Sequence, residues 1–184
     1  EAIQHVPVES ARAAVRLAEE SKADAVLAVG GGSAIGLAKI VARDTGIPFV
    51  AVPTTFAGSE ATSMWGMTEE GRKVTGIDDR VLPRAVVYDA SLSASLPGGL
   101  AMSSGLNAVA HAVDGFWAPR ADPINVALGA EGLRALIPGL RGLRKDPADI
   151  DARERVLYGA YLAGLAFASA GSGIHHKICH VLGG

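Results

Sequence analysis

The stretch Gly30-Gly31-Gly32-Ser33 constrains this 184-residue chain more than any other. It follows the apolar run Ala25–Val29 and opens a helix-like stretch, Ala34–Ala42. Apolar run, glycine turn and helix start together spell strand, tight turn and helix N-terminus, the unit from which parallel α/β sheets are built. Glycine lets a backbone come close to a ligand, and the first N–H groups of a helix have no partners within it. With the helix dipole, those groups make a site for an anion such as a phosphate or pyrophosphate. The turn matches neither standard phosphate fingerprint. Ile35 stands where G-x-G-x-x-G needs its third glycine, and no Gly-Lys-Ser/Thr follows as a Walker A loop requires.

The surrounding pattern extends this unit. Val8–Glu20 has apolar residues at helical spacing with charges between them, as in a surface helix. Phe49–Val52 is a second apolar strand, ended by Pro53, and the short connection Asp44–Pro48 implies parallel strands with a right-handed crossover. Strands this apolar are expected in a sheet covered on both faces. Met64–Thr75 reads as a hairpin turning at Glu70-Gly71, and Ala85–Tyr88 as a third buried strand. After Pro97 the pattern changes. Gly98–Trp117, Asp122–Leu143 and Ala148–Ala170 read as long helices, and Gly171–Val181 begins another. Their alanines and glycines permit close helix packing, and Asp146-Pro147-Ala148-Asp149 is a turn with an N-cap. The expected architecture is an α/β nucleotide-binding part over residues 1–97 and an all-helical part over residues 98–184.

Composition narrows the function. A net charge of −2 with no clustered basic face gives no footprint for nucleic acid. No apolar run approaches a membrane span. The single Cys179 excludes an internal disulfide and a cysteine-rich zinc module, and fits a reducing compartment, so a cytoplasmic protein is expected. The chain starts without Met and ends on Leu182-Gly183-Gly184, and is expected to be an internal piece of a longer protein.

Three groups of residues carry candidate chemistry. The loop Pro53–Glu60 leaves the C-terminal end of a strand, where open α/β sheets bind ligands, and offers the hydroxyls of Thr54, Thr55 and Ser59. Asn107 and His111 are spaced i, i+4 and share a helix face, as do His176 and His180, with His175 off that face. A lone histidine on an Ala-rich helix is ordinarily a satisfied core residue. Two polar pairs on apolar helices are harder to dismiss, because each buried polar group costs free energy unless it is bonded. Such pairs suit a metal, a general acid or the anchoring of an anionic substrate. Asn107 is a poor metal ligand, no carboxylate lies within one turn before His111, and Asp114 follows three residues beyond it. Cys179, Trp65 and Trp117 read as packing residues. Lys73 reads as a surface lysine or as a contact to a ribose or phosphate.

In combination, these motifs resemble the iron-containing (group III) alcohol dehydrogenase superfamily. The carriers are Gly30-Gly31-Gly32-Ser33 with Ala38-Lys39, Pro53-Thr54-Thr55 with Gly58-Ser59-Glu60, Gly105-Leu106-Asn107-Ala108-Val109-Ala110-His111-Ala112, and His176 with His180-Val181-Leu182-Gly183. The resemblance implies a dehydroquinate-synthase-like fold with the active site between its two parts. It implies NADH or NADPH as cofactor, with Gly31, Gly32 and Ser33 on the pyrophosphate, Thr54, Thr55 and Ser59 along the groove, and Lys73 near a ribose or phosphate. Three departures point within the superfamily. Gly36 replaces the usual Asp after the glycine turn, the threonine loop is one residue short, and Asn107 replaces the metal-binding Asp. All three resemble the branch that reduces the carbon–carbon double bond of maleylacetate to 3-oxoadipate in aromatic-compound degradation. That branch implies a small dicarboxylate substrate and a homodimer. The Asn107 departure adds the expectation of no metal, with Asn107, His111, His176 and His180 as catalytic candidates. The alternatives are a metal-dependent alcohol or hydroxyacid–oxoacid dehydrogenase of the same fold, and a nucleotide-binding subunit without catalysis.

Overall fold

The computed structural model describes residues 6–183, with side chains through Cys179. Strand β1 (Val26–Gly30) runs parallel to β2 (Phe49–Pro53) along its whole length, Val26 opposite Phe49 and Gly30 opposite Pro53. Between them, α2 (Gly32–Thr45) buries Ile35, Ala38 and Ala42 against Ala28, Phe49 and Ala51. It stops at Gly46, whose φ of +76° is the left-handed C-terminal conformation that glycine adopts without steric cost. Helix α1 (Val8–Glu20) packs on α2 through Val6, Ala11 and Ile40. The hairpin β3 (Met64–Glu69) and β4 (Arg72–Ile77) turns on Glu70 and Gly71, both at positive φ, as a two-residue hairpin turn requires.

Two sheet expectations fail. The third strand, β5, is only Ala85–Val86, and neither residue is buried. The chain leaves the sheet because Asp89 accepts from the backbone N–H of Ser91 and starts a tight turn at Ala90–Ser93, while Tyr88 packs on the helical core. Nor is the cover complete on both faces among the described residues. α2 covers one, but Leu27 and Val29 on the other are 66% and 54% exposed among the described residues.

The helical part follows its alanine and glycine pattern. Helices α3 (Gly98–Gly115), α4 (Pro123–Lys145) and α5 (Ile150–Ala170) pack against one another, and α6 (Ile174–Gly183) follows. Asp122 and Asn125 form a reciprocal cap on α4, and Asp149 caps α5. The α4–α5 approach is so close that a Cβ on Gly159 would lie 2.7 Å from the Gly132 carbonyl oxygen. The Arg153 guanidinium is buried and donates to the carbonyls of Ser93, Ala94 and Pro147, tying the α4–α5 turn to the segment before α3. Two packing assignments are corrected. Trp117 is 58% exposed because its indole N–H reaches back to Asp114 instead of turning inward, and Cys179 is exposed on the outer side of α6. No helix among the described residues is long and apolar enough to cross a membrane.

The loop after β2 joins the two parts. Phe56 is fully buried in the helical core, and Gly58, at φ +71°, lies against α5. A Cβ on Gly164 would stand 2.9 Å from the Gly58 carbonyl oxygen. This contact sets the glycine turn and the histidine-bearing helices on opposite sides of one groove.

Candidate active site

The glycine end of the groove is built from backbone. Gly31 is the N-cap of α2 and brings no side-chain acceptor, and the first intrahelical bond runs from Ile35 N–H to the Gly31 carbonyl (3.1 Å). The N–H groups before Ile35 therefore have no partner within the helix. A Cβ on Gly31 would sit 2.7 Å from Thr55 Cγ2, so only glycine lets the turn and the threonine loop meet. In front lies a cleft of about 780 Å³ walled by Gly31, Gly32 and Ser33, by Thr55 and Ser59, and by Trp65, Gly66 and Lys73 of the hairpin. Of the expected cofactor contacts, Thr54 alone is not on this wall. It follows β2 directly, and its N–H continues the sheet ladder to the Gly30 carbonyl (3.0 Å).

At the base of the cleft stands Lys39, which the glycine-turn motif includes but to which the sequence assigns no role. It is 1% exposed, and its ammonium donates to the Thr62 carbonyl (2.7 Å), Thr62 Oγ1 (3.1 Å) and the Met64 carbonyl (2.7 Å). An isolated buried ammonium would cost several kcal/mol, and these acceptors offset that cost. Burial pushes its pKa down to about 7, with the nearby Glu60 acting in the opposite direction. Lys39 thus pins the start of the hairpin, one wall of the cleft, to α2. Glu60 is also buried. Its carboxyl is held above the ordinary range by that burial, against its own backbone N–H, the Tyr88 hydroxyl that donates to it at 2.8 Å, and Lys39.

The other end is built from side chains. A pocket of about 250 Å³ shares Ala57, Ser59, Trp65, Gly66 and Lys73 with the cleft, so the two adjoin. Its far wall is Asn107 and His111 of α3, Phe167 of α5 and His176 of α6. The His111 and His176 rings stack at 4.7 Å, and Phe167 packs on both, at 4.7 Å and 4.5 Å. The i, i+4 spacing brings the Asn107 amide to 3.4 Å from His111 Nε2, while Nδ1 of His111 is buried with no partner among the described residues. Burial, and after it the neighbouring His176, push the His111 pKa down to about 3. His111 is therefore a neutral hydrogen-bonding group. His176 is buried, with Nδ1 2.9 Å from Asp114 Oδ2. Asp114 is itself fully buried. That burial would raise its pKa, but hydrogen bonds from His176, Trp117 and the N–H groups of His175 and Gly173 outweigh it and hold the carboxylate below its usual range. His175 lies off the shared face, edge-on to His176 at 5.1 Å. The side chain of His180 is outside the described residues.

The structure thus brings Asn107, His111 and His176 together from two helices. Asp114 is visible in sequence only as a residue one turn past His111, and no pattern marks Phe167. Among the described residues no carboxylate lines this pocket. Asn107 is a neutral amide, Asp114 is committed to N–H donors behind His176, and no group of three His, Cys, Asp or Glu side chains among the described residues could hold a metal.

Comparison with known proteins agrees with this architecture. The family model described as iron-containing alcohol dehydrogenase matches residues 1–90, and that of the C-terminal part of the same family matches residues 101–184. The chain is 50% identical, over its whole length, to maleylacetate reductase 2 of Cupriavidus pinatubonensis, and covers 51% of that protein. Among solved structures it is similar to an iron-containing alcohol dehydrogenase from Corynebacterium glutamicum (TM-score 0.97, 55% identity, covering all of this chain and 51% of that one). It is likewise similar to the maleylacetate reductase of Rhizobium sp. strain MTP-10005 (TM-score 0.96, 46% identity, all of this chain and 52% of that one). The chain therefore spans about half the length of the relatives it matches.

Proposed function

The chain belongs to the iron-containing alcohol dehydrogenase family, and from that premise we propose that it carries the cofactor and substrate walls of an enzyme that reduces maleylacetate to 3-oxoadipate with NADH or NADPH. The observation that carries this reading is the shared wall between a cleft opening on a helix N-terminus and a histidine-lined pocket without a carboxylate in its lining. Relatives whose names state this activity support it.

Gly31, Gly32 and Ser33 hold the pyrophosphate with the unpartnered N–H groups of α2, and the helix dipole favours its charge. Thr55 and Ser59 line the groove, and Lys73, on the stretch shared by cleft and pocket, adds a cation. The bound nicotinamide supplies a hydride. The substrate accepts it at the alkene carbon β to its ketone, and the electron pair of the double bond moves onto the ketone oxygen as an enolate. Asn107 and neutral His111 offer hydrogen bonds to developing charge in a pocket to which Phe167 adds an apolar wall, where such bonds are stronger than in bulk water. His176 gives a proton to the carbon α to the ketone and restores the carbonyl. One hydride and one proton have then added across the double bond. No step requires a metal.

The test is turnover by the intact protein with NADH and NADPH. Oxidation of the cofactor on adding maleylacetate, with little activity on simple alcohols, is expected. Alcohol oxidation that depends on a divalent ion would make this a metal-dependent dehydrogenase, and cofactor binding with no turnover would make it a binding subunit.

A further inference from the structure

Proton delivery by His176 requires that its ring be held in one orientation and one tautomer. We infer that Asp114 is a positioning residue that fixes both. This inference rests on the proposed role of His176. Asp114 stands on α3, three residues past His111, and is fully buried. Among the described residues, every donor to its carboxylate except one comes from the chain that begins α6. Oδ2 accepts from the Gly173 N–H (2.9 Å), the His176 N–H (3.4 Å) and His176 Nδ1 (2.9 Å), and Oδ1 accepts from the His175 N–H (3.3 Å). The remaining donor is Trp117 Nε1, at 3.0 Å on Oδ1.

An ionised carboxylate only accepts, so the proton between Asp114 and His176 sits on Nδ1 of the ring. In the neutral ring Nε2 is then the unprotonated nitrogen, and it becomes the donating edge when the ring takes up a proton. The same carboxylate also satisfies opening N–H groups of α6, which have no partners inside that helix. Ring and helix start are therefore held by one group, and turning the His176 ring away breaks its Nδ1 bond to a carboxylate that the N–H groups of Gly173, His175 and His176 fix in place. The room for this is made by Gly173, where a Cβ would collide with the Asp114 carboxylate.

The test uses the intact protein in three forms: wild type, Asp114→Ala and Asp114→Glu. Ring-nitrogen NMR reads the tautomer, and steady-state kinetics separate kcat from KM. In the wild type, neutral His176 is expected with Nδ1 protonated. In Asp114→Ala that single tautomer is lost and kcat falls ~10- to 100-fold or more, as for outer residues that orient a working histidine, while KM for NADH stays within about twofold, since α2 and its turn are untouched. Asp114→Glu, which keeps the charge on a longer arm, restores part of both. If Asp114→Ala does not fold, Gly173→Ala takes its place, because its methyl displaces the carboxylate without removing it. A His176 ring signature unchanged by loss or displacement of the carboxylate overturns the inference. The tautomer is read without turnover, so a protein that fails to reduce maleylacetate defeats the proposed function and leaves this assignment to be decided by the spectrum.

Discussion

On the proposed reading, the two ends of the groove solve the same problem, holding charge, by opposite means. At the glycine turn the backbone does it, and side chains are excluded because a methyl on Gly31 would strike Thr55 at 2.7 Å. At the histidine pocket side chains do it, and the backbone only supplies helices close enough for their rings to stack at 4.5–4.7 Å. The backbone site needs a fixed charge recognised in one place, which suits a phosphate. The side-chain site needs groups that differ in their hydrogen-bond partners. His111 is driven neutral by desolvation, while His176 keeps a carboxylate partner.

Substitutions should separate the ends. The largest effect is expected of His176→Ala, with kcat falling by ~10²–10⁴, the usual worth of a positioned general acid, and KM for NADH unchanged. A rise in KM for maleylacetate alone, with kcat kept, would make His176 a substrate anchor. Next is Gly31→Ala, where overpacking of about 1–3 kcal/mol should weaken cofactor binding by roughly tenfold to a hundredfold and leave the His176 ring signature intact. Titration of NADH binding by fluorescence checks this, and wild-type affinity would remove Gly31 from the cofactor site. The smallest effect is on stability. The His111 pKa is lowered to about 3 in the fold, whereas an unfolded histidine titrates near 6.5. Between those values the unfolded chain binds a proton that the folded one refuses, so His111 makes stability fall as pH drops from about 6.5 towards 3. Denaturant melts from pH 7 to 4 should show a shallower loss for His111→Gln than for the wild type. Equal slopes would mean that His111 is charged in the fold.

The same contrast explains what is legible in the sequence. The glycine turn, β1, α2 and β2 are local, and their signals lie in consecutive residues, so the strand–turn–helix–strand unit can be read from the residues alone. The hairpin turn at Glu70-Gly71 and the cap at Asp149 are equally local. The apolar run Ala85–Tyr88 overstates β5, because the Asp89 turn and the helical core capture Tyr88. In the pocket, i, i+4 spacing reveals Asn107 beside His111, since one helix sets that distance. Asp114 with His176 and Phe167 with both rings depend on how three helices pack, and no spacing within one helix encodes it. The buried role of Lys39 is hidden for a related reason, although the glycine-turn motif includes the residue. On an apolar helix a lysine reads as an exposed cation, and only the fold shows that carbonyls of Thr62 and Met64 wait for it inside.

The central claim is that the histidine end works by hydrogen bonds and proton transfer from side chains, with Asn107 standing where a metal would need a carboxylate. The most direct measurement is NADH oxidation by the intact protein with maleylacetate after exhaustive metal removal, with bound iron and zinc quantified on the same sample. Turnover that persists at well below one metal ion per site is the predicted result. Activity that disappears with the metal and returns with a stoichiometric divalent ion would contradict the account.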